Sequence, residues 1–119
     1  MPKYLLVARD AGDWSKLAGA ASPAEIQAII DKYRAWSEKV AAQGKLLTGE
    51  KLRDGEGRVL KGQGKATRIT DGPHSESKEI IGGFWILQAA NYEEAVKLAS
   101  DSPHLQFGSL ELRAIEEMQ

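Results

Sequence analysis

Apolar residues recur along this 119-residue chain in two rhythms, and the switches between them predict its elements. Tyr4 to Ala8 is apolar on both alternating sets, with Tyr4, Leu6 and Ala8 on one face and Leu5 and Val7 on the other. A strand of that kind is buried on both faces. Residues 10–21 read as a loop of small and polar residues around Trp14, expected to fold back over the core edge. Ser22-Pro23-Ala24-Glu25 then places a serine N-cap, a proline at the first helical position and a glutamate at the third, a capping box. Ile26, Ile29, Ile30, Tyr33, Trp36 or Ser37, and Val40 follow at spacings of three and four. One face of this helix should therefore pack on a sheet, and Gly44 supplies the stop.

Lys45 to Leu52 reads as a second strand. Beyond it, Asp54-Gly55 and Gly62-Gln63-Gly64 bracket the short run Arg58 to Lys61, and Ala66 to Thr70 alternates. That pattern predicts an inserted hairpin. Phe84 to Ala89 is again apolar on both faces. Asn91-Tyr92-Glu93-Glu94 starts a second helix with Ala95, Val96, Leu98 and Ala99 inward, ended by Asp101-Ser102-Pro103. Ser109 to Ile115 is the last strand, with Leu110, Leu112 and Ala114 on one face and Glu111 and Arg113 on the other.

The order is strand-helix-strand, hairpin, strand-helix-strand, within one domain spanning residues 1–119. It predicts an α+β fold, a ferredoxin-like α/β sandwich. Two helices cover only one face of such a sheet, yet Tyr4–Ala8 and Phe84–Ala89 are apolar on both. An uncovered apolar face of that extent is unusual on a monomer, so a homodimer with its sheets packed face to face is expected.

Sixteen basic and seventeen acidic side chains give a net charge of −1, which offers no general attraction to nucleic acid or to anionic membranes. The absence of cysteine excludes disulfides, thiolate catalysis and cysteine-based metal sites. Five apolar residues near the start are too few for a signal segment or a membrane span, so a cytoplasmic location is expected. Gly62-Gln63-Gly64 fails the dinucleotide pattern, since Thr67 stands where a third glycine is needed. Gly57 to Gly62 has the phosphate-loop spacing, but Gln63 replaces the required lysine. No cofactor is expected.

Candidate chemistry gathers between Thr70 and Gly83, the run TDGPHSESKEIIGG. Asp71-Gly72-Pro73 cannot be regular structure, because proline lacks an amide hydrogen and pushes its predecessor towards extended geometry. His74 lies within five residues of Asp71, Glu76 and Glu79, with Lys78 beside them. An imidazole next to a carboxylate is oriented and made a better base, as proton transfer near neutral pH requires. His104 follows Pro103 just before the last strand, and in this fold both loops open near one end of the sheet. Arg9 and Arg113 are candidates for holding an anionic ligand. Each residue also has a plainer role open to it. A loop histidine is often only packed or bonded to backbone, Asp71 can close an Asx turn, and Glu76, Lys78 and Glu79 alternate like a solvated rim. Arg113 can pair with Glu111. A metal site from Asp71, His74, Glu76 and His104 is a weaker alternative, since nothing in the spacing demands it.

The same run resembles the DGPF signature of the YCII-related family, DGPFxExKE followed by Gly-Gly and an apolar strand. His74 departs from it, standing where that family most often has phenylalanine. The resemblance extends to KYLLVARD, LLTGEKL and PHLQFGSLELRAIEEM, and so covers nearly the whole chain. It implies a dimeric α/β-barrel arrangement and a small-molecule enzyme or binding protein, with His74, His104 and Asp71 as acid–base groups. Arg9, Glu76, Lys78 and Arg113 would then contact the ligand. It also implies an alternative, a non-catalytic interaction module, because some DGPF-type relatives are linked with alternative sigma factors.

Overall fold

The computed structural model describes residues 1–10, 22–53, 55–71 and 80–117. Their elements run β1 (Lys3–Asp10), α1 (Pro23–Ala42), β2 (Leu46–Lys51), β3 (Arg58–Lys61), β4 (Arg68–Asp71), β5 (Ile80–Gln88), α2 (Tyr92–Ser100) and β6 (Gly108–Ala114). Short 3-10 turns span Gly64–Ala66 and Pro103–Gln106. Strands β2, β5, β1 and β6 form one sheet in that order, each antiparallel to its neighbour. β1 and β2 are therefore parallel with β5 between them, and β5 and β6 are parallel with β1 between them. These are two split strand-helix-strand units, the ferredoxin-like α+β arrangement that the element order predicts. The insert is present as a separate two-stranded hairpin of β3 and β4.

Local chemistry sets the helix ends. The Glu25 amide donates to the Ser22 hydroxyl at 3.1 Å, and Pro23 follows where a missing N–H leaves nothing unsatisfied. Gly44 takes a φ of +70°, the left-handed stop. At α2, the Glu94 amide donates to the Asn91 side chain at 2.9 Å.

The Glu94 carboxylate also meets the Lys45 ammonium at 2.8 Å, and the hydrogen bond from Lys45 is the main cause holding its pKa below the ordinary carboxylate value. A group whose pKa is lowered by folding stabilises the fold above its unfolded pKa. That contribution is lost as pH falls through the folded value. Glu94→Gln should therefore be less stable than the natural chain at pH 7, with the gap closing at pH 3. Urea unfolding at the two pH values checks this.

One sheet face carries Leu6, Trp85, Leu87, Leu110 and Leu112 against Trp36 and Val40 of α1 and Leu98 and Ala99 of α2. The Trp36 indole meets Trp85 edge-on, with ring centroids 5.3 Å apart, and its N–H donates to the Leu98 carbonyl at 3.0 Å. Trp85 lies over Gly49 on β2, where any Cβ would run into the indole. That contact explains a glycine inside a strand.

Two positions expected to face inward do not. Ile30 is 43% exposed and Val96 is 54% exposed. At about 100° per residue, Ile30 falls roughly 70° from the centre of the α1 stripe, and Val96 about 100° from Ala95. Both lie on helix flanks.

The opposite sheet face presents Leu5 and Val7 of β1 beside Phe84 and Ile86 of β5. Val7 is buried and the other three are half-buried, with Thr48, Glu50, Glu111 and Arg113 at the sides. Both α1 and α2 lie on the other side of the sheet. The thinnest dimension, 19 Å, is that of a single sheet backed by one helix layer. Among the described residues, no helix is long and apolar enough to cross a membrane.

Candidate functional site

Register brings three chain segments together at one end of the sheet. Asp10, the last residue of β1, stands opposite Ile80, the first of β5, and opposite Gly108, the first of β6. β6 is reached through the Pro103–Gln106 turn, which carries His104. The Ser102 hydroxyl caps this turn, accepting the His104 amide at 3.2 Å, and the Phe107 amide donates to the His104 carbonyl at 2.9 Å. Pro103 fixes one backbone angle at the turn's start. A short, doubly anchored turn therefore aims the imidazole.

His104 is 4% exposed. Its Nε2 lies 3.1 Å from the Arg9 carbonyl oxygen, and its Nδ1 lies 3.0 Å from the Tyr33 hydroxyl. A carbonyl only accepts, so Nε2 carries the proton and donates to Arg9. In the neutral ring, Nδ1 then accepts from the Tyr33 O–H. This single side chain ties α1, the end of β1 and the approach to β6 to one another.

Arg9 serves the site from both ends. Its carbonyl holds His104, and its guanidinium donates to the Glu111 carboxylate at 3.1 Å on the open face. The two side chains are 30% and 41% exposed, so the pair adds at most about 1 kcal/mol to stability. Glu111 is thus engaged by Arg9, across the sheet, rather than by Arg113. Arg113 is exposed beside Leu5 on the open face, and among the described residues it makes no ion pair.

Asp71 stands apart on the hairpin, where, contrary to the expectation of irregular structure, it is the last residue of β4 and pairs in register with Arg58. Its carboxylate is 93% exposed and pairs with Arg58 at 3.3 Å. His74, Glu76, Lys78, Glu79 and Trp14 lie outside the described residues. Among the described residues no group of three or more histidines or acids is placed to hold a metal ion.

Tyr33 was legible only as part of the α1 stripe. A phenol on a buried face needs a hydrogen-bond partner, and that need is the signal that could have marked it. A cleft of about 680 Å³ also opens between α1 and the Pro103–Gln106 turn, lined by Lys32, Trp36, Lys39, Asp101, Pro103 and Leu105. Its lining includes the two neighbours of His104, whose own ring points instead to Arg9 and Tyr33.

The arrangement is that of a small ferredoxin-like α+β domain with a polar constellation at one sheet end. The YCII-related domain matches residues 3–119, and the chain belongs to that family. No curated protein matches the chain.

Proposed function

We propose that this protein binds a small oxygenated molecule at the Arg9–His104 end of the sheet and exchanges a proton with it, as a cytoplasmic homodimer of the DGPF type. The observation that supports the reading is the fixed orientation of His104. With Nε2–H committed to the Arg9 carbonyl, Nδ1 is the basic nitrogen and the Tyr33 O–H is its donor. When a ligand gives a proton to the Tyr33 oxygen, the phenol's own proton passes to Nδ1. The products are a neutral Tyr33, an imidazolium with an acceptor on each N–H, and a ligand anion. In this reading Arg9 also contacts the ligand, as do Glu76, Lys78 and Arg113, and His74 and Asp71 form a second acid–base pair.

A thermal-shift screen of small carboxylates and phenols tests the proposal. Hits should stabilise the natural chain and lose about tenfold or more in affinity in the His74→Gln/His104→Gln double variant. Equal binding by both proteins would sink the idea. The exposed hairpin favours a second reading, a non-catalytic interaction module. A stoichiometric protein partner from the native host, with no small-molecule hit, would select it.

The reading of a homodimer is supported by the apolar sheet face away from α1 and α2, where Leu5, Val7, Phe84 and Ile86 would meet their counterparts in a second copy. Light scattering at micromolar concentration should give twice the chain mass, and a stable monomer would refute it.

A further inference from the structure

We infer that the β3–β4 hairpin is an intersubunit arm that packs its Leu60–Ile69 face on a second copy of the chain. The inference rests on the homodimer proposed above. Register sets Leu60 opposite Ile69 and Arg58 opposite Asp71, so these four side chains share a face. Val59, Thr70, Lys61 and Arg68 take the other. Leu60 and Ile69 are 62% and 63% exposed, an apolar cross-strand pair left in water. Of the strand residues in the hairpin, only Val59 is even half-buried. β3 and β4 pair with each other and with no other strand among the described residues. A lone two-stranded hairpin is marginal in water and needs a packed face to persist. The Leu60–Ile69 face is the one available for that packing.

Charge indicates the partner. The segment Arg58–Asp71 holds Arg58, Lys61, Lys65 and Arg68 against the single acid Asp71, a net +3. The whole chain is −1, so the remaining residues carry −4. A basic arm is attracted to the acidic body of another copy, while two arms repel one another. The point of departure also fits. Lys51, the end of β2, stands opposite Gly83 near the start of β5, so the hairpin leaves from the same sheet end as Arg9 and His104. Two-fold symmetry gives each subunit one arm and one receiving surface. Because β4 ends at Asp71, the arm carries that carboxylate to the partner.

The test uses the full chain and a Leu60→Ser/Ile69→Ser variant, whose helical circular dichroism signal should be unchanged because α1 and α2 lie outside the hairpin. Sedimentation should show the dimer dissociation constant raised about tenfold or more. In mixtures of ¹⁵N-labelled and unlabelled chains, zero-length cross-links from Lys61 or Lys65 to carboxylates should join chains of unlike label. An unchanged dissociation constant, or arm cross-links confined to single chains within an intact dimer, overturns the arm and leaves the dimer standing. A monomeric natural chain removes both. Salt-dependent binding to a short DNA duplex, abolished by Lys61→Ala/Arg68→Ala with association unchanged, also overturns it and assigns the arm to nucleic acid.

Discussion

Gly108→Ala is expected to destabilise the fold by about 3 kcal/mol, although it adds a single methyl group. Gly108 stands opposite Asp10 in the β1–β6 ladder. A Cβ there would land on the Arg9 carbonyl oxygen and lie 3.1 Å from the His104 Nε2. Its φ is outside the left-handed region, so the requirement is steric rather than conformational. Relief requires β6 to move away from β1, and the imidazole to give up its place on the Arg9 carbonyl. The first strains a hydrogen-bonded ladder, and the second leaves a buried N–H without its acceptor. Each costs on the order of 1–3 kcal/mol. Urea unfolding measures the sum, and a loss below about 0.5 kcal/mol would show that this end of the sheet is loosely held.

Leu87→Ala should cost a similar amount for a different reason. Leu87 is 0% exposed on β5, one of the two central strands, and belongs to the cluster that includes Leu6, Trp36, Val40 and Ala99. Removing its isobutyl group forfeits the transfer free energy and leaves a cavity that hydrogen-bonded strands cannot collapse. Together these amount to about 3 kcal/mol, with a range of roughly 2–5. For a domain of this size the melting temperature should fall by about 10–15 °C. Ile30→Ala is the contrasting case. Its side chain is 43% exposed on the flank of α1, and the expected loss is below about 1 kcal/mol.

The contrast between Leu87 and Ile30 marks how far the sequence could be read. Period and caps located both helices, because Ser22, Gly44 and Asn91 act on their immediate neighbours. The hairpin was legible for a similar reason, since Gly62 and Gly64 adopt positive φ between its strands. Gly83 allows a close backbone approach, as a Cβ there would lie 2.9 Å from the Glu50 carbonyl oxygen. Angular position within a stripe was less legible. Spacings of three and four admit Ile30 and Val96, and only the packed sheet decides which edge of the stripe it covers.

The site was legible in part. His104 and Arg9 stood out by residue type, but what joins them is the Arg9 backbone carbonyl, and a carbonyl has no sequence signature. Tyr33 is 71 positions from His104 and carries a hydroxyl that a helical-stripe reading treats as incidental. Gly108 reads as an ordinary loop-to-strand glycine until the register sets it opposite Asp10, where a Cβ would meet the Arg9 carbonyl.

The most direct test of the account is long-range ¹H–¹⁵N NMR of the imidazole nitrogens, with His104 assigned from a His74→Gln variant. The chain has only two histidines, so the spectrum is simple. Neutral His104 should be held as the Nε2–H tautomer, with a slowly exchanging proton and Nδ1 as the acceptor for Tyr33. Tyr33→Phe should then shift the Nδ1 resonance and leave the Nε2–H in place. A His104 found as the Nδ1–H tautomer, or averaging rapidly between the two forms, would contradict it.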